Sequence, residues 1–187
     1  MNDYLGFLTA RIGWAACLMG LSSLVSAPAA ATQKCQEAPR FELRNLEGEM
    51  DSLEAHLKKP GKELILISFF QKLCAGCREE TRDILAWQAK DGPGKTTDFI
   101  MVSVQESRQR ASEFLEENNF KAYVLADPYG RLTKPYSLTL LPKLVAVDSK
   151  GTLIRSFEPT ELRKIRETKR FEETLNELHL KAKTGCR

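Results

Sequence analysis

The stretch Leu64-Ile65-Leu66-Ile67-Ser68-Phe69-Phe70 is a nearly continuous apolar run, and Cys74-Ala75-Gly76-Cys77 follows it closely. An apolar run of this length is typical of a central strand that is covered on both faces. The segment that follows, 78–90, has apolar residues at helical spacing. The order therefore predicts a strand, a tight turn and a helix, with a Cys-x-x-Cys pair at the start of the helix.

A thiol in the first turn of a helix faces unpaired N–H groups and the positive end of the aligned peptide dipoles, which favour its thiolate form. We therefore expect Cys74 to be the nucleophile of a redox-active dithiol. Two intervening residues bring the second sulfur round by about one helical turn, within reach of a mixed disulfide on the first. Cys77 is then the resolving thiol.

Composition limits the classes of function. The chain has 187 residues, 42% of them hydrophobic and 28% charged, with a net charge of +3. These values favour one globular domain over a disordered or repetitive chain. Its densest basic stretch, 163–170, is interleaved with acidic residues, which is typical of a solvated helix face. We expect no nucleic-acid partner.

Residues 1–31 have the pattern of a signal peptide. Arg11 precedes an apolar stretch, 12–25, and small residues that offer a cleavage site follow it. The apolar stretch is just long enough to span a bilayer, so the alternative is an uncleaved membrane tether through residues 12–31. In either case we expect a periplasmic or otherwise extracytoplasmic protein.

Four cysteines remain once the leader is removed, an even number in a compartment where disulfides persist. Cys74 and Cys77 form one natural pair. Cys35 and Cys186 lie near the two ends of the mature chain, where they form either a second, structural disulfide or two untied thiols. A disulfide that closes so long a loop contributes on the order of 4 to 5 kcal/mol to stability.

The remaining patterns predict an α/β fold. Short strands are expected at 41–43, 99–104 and 123–125, helices at 52–57, 107–119 and 160–181, and a hairpin from 144–147 and 152–154. A βαβ unit followed by an antiparallel hairpin and a closing helix implies a mixed central sheet flanked by helices. We divide the chain into a leader at 1–31, a domain at 32–158, and a C-terminal helix and tail at 159–187.

From about Phe41 to Phe157 the chain resembles the thioredoxin fold, and more closely the exported thiol-disulfide oxidoreductases of the TlpA/ResA type in the redoxin superfamily. Like them, it has aromatic residues before Cys-x-x-Cys, then Arg78 and Glu80 after it. The segment Leu141-Pro142, followed by a strand and an Asp-x-x-Gly hairpin, resembles the family's cis-proline region. The chain departs from the family at Leu73, where Trp is usual.

The resemblance implies a docking edge and a proton carrier. The Leu141 backbone, exposed by a cis bond to Pro142, would receive the substrate chain, although a trans proline opening a strand is the plainer alternative. Thioredoxin has a buried acid at the strand position of Ser68, so Glu80 would carry the proton instead, with a raised pKa. The alternative is a surface Glu80 paired with Arg78.

The predicted reaction needs no cofactor and no metal. By resemblance, the partners would be cysteine-containing exported proteins, apocytochromes awaiting haem among them, and an upstream redox partner. Small residues between the sulfurs do not decide whether the dithiol acts as a reductant or an oxidant, because dithiols on this fold span roughly −270 to −120 mV.

Two other functions compete with this prediction. Zinc or copper binding would need Cys35, Cys186, His56 or His179 to join the central cysteines, and these residues form no clustered second pair. A peroxiredoxin-type peroxidase is disfavoured, because that family's Pro and Thr before the reactive cysteine are absent here.

Overall fold

The computed structural model describes residues 35–90 and 92–185, all within the unit Thr32–Arg187. The predicted leader at 1–31 and Cys186 lie outside the described residues, so the signal peptide, the tether and the Cys35–Cys186 bridge stay predictions. Within the described ranges, no helix combines the length and the apolar character that a membrane crossing requires.

The described residues form an α/β fold. The strands are β1 (Glu42–Asn45), β2 (Met50–Ser52), β3 (Leu64–Phe70), β4 (Thr97–Val104), β5 (Tyr123–Asp127), β6 (Lys143–Asp148) and β7 (Leu153–Phe157). The helices are α1 (Leu53–Leu57), α2 (Ala75–Gln88), α3 (Arg108–Asn118), α4 (Pro159–Glu167) and α5 (Phe171–Thr184), with a 3-10 turn at Pro93–Thr96. The strands build one seven-stranded mixed sheet in the order β2-β1-β5-β4-β3-β6-β7. The predicted mixed sheet flanked by helices is confirmed.

Strand β3 lies in the middle of the sheet, and every one of its residues is buried. Leu66 and Phe70 belong to a core that includes residues of α2, α3 and α5, while Ile67 and Phe69 belong to the core on the opposite face. Burying each such side chain stabilises the fold by about 1.5 to 3 kcal/mol. Because side chains alternate along a strand, Ser68 faces the same side as Leu66 and Phe70, which is the side covered by α2.

Strands β3, β4 and β5 are parallel neighbours, whereas β6 runs antiparallel to β3. The carboxyl ends of β3, β4 and β5 therefore meet at one edge of the sheet, and the start of β6 lies at that same edge. This topology brings the Cys-x-x-Cys turn after β3 next to the Leu141-Pro142 loop before β6.

The single helix predicted over 160–181 is wrong. The chain forms two helices, α4 and α5, which are separated at Thr168–Arg170. Lys169 has a φ of 58°, and the Arg170 N–H donates to the Ile165 carbonyl at 2.9 Å. This is the Schellman arrangement that ends many helices, and it usually has glycine where Lys169 stands. Without a glycine or proline to mark it, the break is not visible in the sequence.

Candidate active site

Cys74 and Cys77 form a disulfide, with their Cα atoms 5.2 Å apart. Cys74 caps the N-terminus of α2, and its sulfur accepts a hydrogen bond from the Cys77 N–H at 3.1 Å. No acidic residue occupies the first turn of α2. The positive end of the helix is thus available to stabilise a Cys74 thiolate once the disulfide is reduced.

The two sulfurs differ in accessibility. Cys77 is 0% exposed. Cys74 is half-buried and lines a surface groove of about 500 Å³. Because an attacking or attacked sulfur must approach along the axis of the S–S bond it exchanges with, only Cys74 is placed to react with another molecule. Cys77 is placed to react with Cys74.

The loop between β3 and α2 is held on α3. The Lys72 ammonium lies 2.6 Å from Glu113 and 2.7 Å from Glu117, which raises the pKa of Lys72. The Lys72 backbone N–H donates to Glu106 at 2.8 Å. These contacts fix the entry of the chain into Cys74. They also neutralise the charge of Lys72, leaving the helix terminus as the main source of thiolate stabilisation.

The Leu141–Pro142 peptide bond is cis. Pro142 is buried and packs on Gly76, where an added Cβ would lie 3.1 Å from the Pro142 Cδ. That distance is tighter than ordinary carbon contacts, which prefer about 3.5 to 4.0 Å. Glycine at position 76 therefore lets the proline loop lie directly against the dithiol turn.

Two grooves meet at this contact. The Cys74 groove runs between the dithiol turn and residues 138–141, with Leu73 (85% exposed) and Leu140 (62% exposed) at its rim. The α4 groove, of about 540 Å³, lies between Pro142 and α4. Exposed leucines beside a reactive sulfur offer an apolar contact surface for another polypeptide.

Glu80 lies one turn of α2 beyond Cys77, and both side chains are fully buried. The Ser68 hydroxyl donates to Glu80 Oε1 at 2.6 Å, while Oε2 is buried and has no hydrogen-bond partner among the residues that the structure describes. Burial raises the pKa of Glu80 to about 7, against the opposing effects of the Ser68 hydrogen bond and of Arg166. A carboxyl with this pKa takes up and releases protons near neutral pH.

Arg166 on α4 contacts α2 beside Glu80. Its guanidinium lies 2.9 Å from Glu79 and 2.8 Å from Asp83, and its side chain is only 18% exposed. The surface role considered for Glu80 thus belongs to Glu79, with Arg166 as partner. Sequence reasoning missed Arg166. It lies in a basic stretch that is typical of a solvent-exposed helix face, and no neighbouring residue indicates its contact with α2.

Arg166→Gln is expected to raise the pKa of Glu80 by about half a pH unit, since a nearby cation favours the carboxylate. The measurement is a carbon-13 NMR titration of the Glu80 carboxyl. Arg163→Gln is the matched control, because Arg163 lies on the same helix, is 73% exposed and pairs with Glu167. A Glu80 pKa that is unchanged or lower in Arg166→Gln contradicts this electrostatic role.

The histidines considered as metal ligands have other partners. His56 is 0% exposed, with Nδ1 lying 2.6 Å from Asp98 and Nε2 lying 3.2 Å from Asp51. His179 lies 2.9 Å from Glu63. Within 35–90 and 92–185, no group of three or more Cys, His, Asp or Glu residues is arranged to hold a metal ion.

Asp98→Ala is expected to lower the free energy of unfolding by about 3 kcal/mol, because it leaves a buried imidazole and Lys59 without their shared carboxylate. Burial would raise the pKa of Asp98, but the hydrogen bonds from His56 and Lys59 outweigh it and hold the pKa below 3.8. Stability from this group is therefore present above pH 3.8 and is lost as the pH falls.

Urea denaturation at neutral pH measures this effect. Glu54→Ala is the control, since Glu54 makes an exposed pair with Arg40 and such pairs contribute about 0 to 1 kcal/mol. Equal losses in the two variants would show that the cluster of His56, Lys59 and Asp98 contributes no more to the free energy of unfolding than an exposed ion pair does.

Solved structures with the same architecture include the thioredoxin domain of a thiol-disulfide oxidoreductase from Bacteroides vulgatus, which is 22% identical with a TM-score of 0.58, over 75% of this chain and 98% of that one. A thiol-disulfide oxidoreductase from Bacteroides fragilis is 18% identical with a TM-score of 0.57, over 71% of this chain and 99% of that one.

The peroxidoxin BcpB from Mycobacterium tuberculosis is 16% identical with a TM-score of 0.60, over 76% of this chain and 96% of that one. At these identities the structures establish a shared fold. No curated protein matches the chain.

A family model described as Redoxin matches residues 33–175, which span β1 to β7, the dithiol, the cis-proline loop and most of the C-terminal helices. Because this match covers most of the sequence, the protein belongs to the Redoxin family, as an oxidoreductase with the thioredoxin-like fold.

Proposed function

We propose that this protein exchanges electrons with disulfides of exported client proteins through Cys74 and Cys77. The observation that carries the proposal is the unequal placement of the two sulfurs. Cys74 opens onto a groove at a helix N-terminus, while Cys77 is buried behind it. This arrangement separates the sulfur that meets the client from the sulfur that completes the exchange.

In the reducing direction, the Cys74 thiolate attacks one sulfur of the client disulfide, and the other client sulfur leaves as a thiolate. A mixed disulfide joins Cys74 to the client. Glu80 then takes the Cys77 proton, and the Cys77 sulfur attacks Cys74, which releases the second client sulfur. The client gains two electrons and becomes a dithiol, and this protein ends with the Cys74–Cys77 disulfide. An upstream dithiol partner restores the reduced form.

The client chain is proposed to lie along the Cys74 groove, with its backbone against Leu141. Leu141 lines this groove and precedes the first residue of β6 that pairs with β3, Lys143. An extended segment that adds to the end of a sheet gains backbone hydrogen bonds without regard to its side chains. Such docking suits a protein with several clients.

The finer assignment rests on the sequence. The leader at 1–31 supports export to the periplasm, and the similarity to TlpA/ResA-type proteins supports a reductant that prepares apocytochromes for haem attachment. The Cys-x-x-Cys-His segment of a c-type cytochrome receives haem only with its two cysteines reduced, so a client of this kind needs the reducing direction.

The reduced protein, freed of small thiols, is mixed with an oxidised Cys-x-x-Cys-His peptide, and products are separated by chromatography. We expect one peptide dithiol for each protein disulfide formed. The potential of the Cys74/Cys77 couple is measured against glutathione buffers. A value near −270 mV supports the reductant role, whereas one near −120 mV overturns it in favour of an oxidant. No exchange in either direction would overturn the proposed function itself.

A further inference from the structure

A third concavity, of about 280 Å³, lies at the same sheet edge as the dithiol. Three arginines line it, Arg44, Arg108 and Arg131, together with Met50 and Tyr129. Tyr129 is 84% exposed and Met50 is 48% exposed. We call this feature the arginine pocket. The pocket thus places three positive charges beside the exposed aromatic ring of Tyr129.

The charges of the arginine pocket are not neutralised within the described chain. None of the described residues that line the pocket has a carboxylate. Arg44 donates to the Gly48 carbonyl at 2.6 Å, and Arg108 donates to the Leu46 carbonyl at 3.4 Å. Backbone carbonyls orient a guanidinium but leave its net charge in place. Several other arginines of the described residues, Arg40 and Arg166 among them, pair with carboxylates.

The β1–β2 hairpin holds two of these arginines together. A Cβ added to Gly48 would lie 2.6 Å from the Arg108 Nη1, and Gly48 has a φ of 93°. Only glycine fits this position without strain. The hairpin backbone therefore accepts hydrogen bonds from both Arg44 and Arg108 and holds two like charges beside one turn, an arrangement that a bound anion stabilises.

The arginine pocket and the Cys74 groove have no described lining residue in common, but they lie near each other at the same edge of the sheet. Pro128, Tyr129 and Arg131 line the pocket, and Thr133, two residues later, lines the groove. Gln105 also lines the groove, and it packs against Gly130. Strands β5 and β3 are separated only by β4, so the ends that carry the two sites lie roughly 10 Å apart by ordinary strand spacing. One extended client segment of a few residues spans that distance.

We propose that the arginine pocket binds a carboxylate side chain of the client polypeptide whose disulfide is exchanged at Cys74. This inference rests on the proposed function and narrows its substrates to disulfides that have acidic residues a short distance along the chain. Planar guanidinium groups bind carboxylates through paired hydrogen bonds, and a cluster of them also attracts an acidic partner before contact. The exposed Tyr129 offers apolar contact to the stem of the acidic side chain.

The test compares two synthetic disulfide peptides that differ only in a short run of Glu or Gln beside the cysteines. The second-order rate constant for their reduction by the reduced protein is measured at low ionic strength. We expect the Glu peptide to react about tenfold faster, which is the lower range of electrostatic steering. The advantage should disappear at about 0.5 M salt, where the Debye length is only a few ångströms.

The triple variant Arg44→Gln, Arg108→Gln and Arg131→Gln should reduce both peptides at the rate at which the wild-type protein reduces the Gln peptide. The matched control removes the same charge at exposed Lys58, Lys150 and Lys181 and should keep most of the advantage. Arg131→Gln alone, which removes no hydrogen bond to the hairpin seen in the described residues, serves if the triple variant folds poorly, and should lose about a third of the logarithmic advantage.

Equal rates for the two peptides with the wild-type protein overturn the proposal that the arginine pocket binds a client carboxylate, and leave the proposed function intact. The same follows if the triple variant keeps the advantage, or if the control variant loses it. Failure of the protein to exchange electrons with either peptide, in either direction, overturns the proposed function, and the client-binding role of the pocket with it.

Discussion

Cys74→Ser is expected to lower the rate of disulfide exchange by on the order of 10⁴-fold or more, as loss of a nucleophile does in other enzymes. A serine hydroxyl is not ionised at neutral pH and cannot form a disulfide. Cys77 remains in this variant, but it is fully buried and has no access to the Cys74 groove. The measurement is the rate constant for reduction of a peptide disulfide.

Cys77→Ser is the matched variant, because it removes the same atom from the other end of the disulfide. It should react with the peptide disulfide at a rate close to that of the wild type, and then accumulate a mixed disulfide that mass spectrometry detects as one added peptide. The roles of the two cysteines would be reversed if Cys74→Ser, and not Cys77→Ser, trapped the peptide.

Local patterns explain why the centre of the fold was predictable from the sequence. The apolar run of β3, the cysteine spacing and the turn residues around β6 and β7 each specify their structure within a few neighbouring positions. Ser52 likewise caps α1, with its hydroxyl accepting the Ala55 N–H at 3.2 Å. In these segments the residue types, the secondary structure and the burial agree.

The parts that could not be predicted depend on contacts between distant segments. The side chain of Lys72 contacts α3, and that of Arg166 contacts α2. Nothing in the sequence distinguishes these two residues from exposed surface residues. The Schellman end of α4 falls on Lys169, where no residue signals it. The arginine pocket gathers Arg44, Arg108 and Arg131 from three separate segments. Charged side chains carry no periodic signal, so only the folded chain reveals which of them converge.

The position of Glu80 joins a local pattern to a distant contact. Its spacing from Cys77 puts both residues on one face of α2, as the sequence indicates. Its burial follows from the packing of that face on β3, where Ser68 offers a small hydroxyl in place of a bulky apolar side chain. A leucine at position 68 would leave both carboxyl oxygens without a hydrogen bond, which makes Ser68 part of the support for the carboxyl.

Glu80→Gln is expected to remove the inflection near pH 7 from the pH dependence of exchange, and to slow exchange above that pH by about 100-fold, the lower range for loss of a general base. Gln keeps the size of the side chain and accepts the Ser68 hydrogen bond, but it cannot take the Cys77 proton. The measurement is the rate of mixed-disulfide resolution between pH 5 and 9. Ser68→Ala keeps the carboxyl and removes a bond that lowers its pKa, so its inflection should move to higher pH.

Glu80→Gln also changes the stability of the protein. The sign of this effect follows from the direction in which folding shifts the pKa of Glu80. Burial raises the pKa of Glu80 from 4.5 to about 7, so the folded protein holds this proton more tightly than the unfolded chain does. The stability of the wild type is highest with respect to this group below pH 4.5, and falls as the pH rises to 7. The total loss is about 3 kcal/mol by the linkage between pKa and free energy.

Glu80→Gln lacks this titration. The free energy of unfolding of the variant, relative to that of the wild type, should therefore increase by about 3 kcal/mol as the pH is raised from acidic to mildly alkaline values. Urea denaturation of the oxidised proteins across that range measures the difference without any turnover. A variant that is slower in exchange but shows a constant difference in stability would mean that folding does not raise the pKa of Glu80, so that Glu80 is ionised at neutral pH. In that case the carboxylate would act through its charge, and another group would have to receive the Cys77 proton.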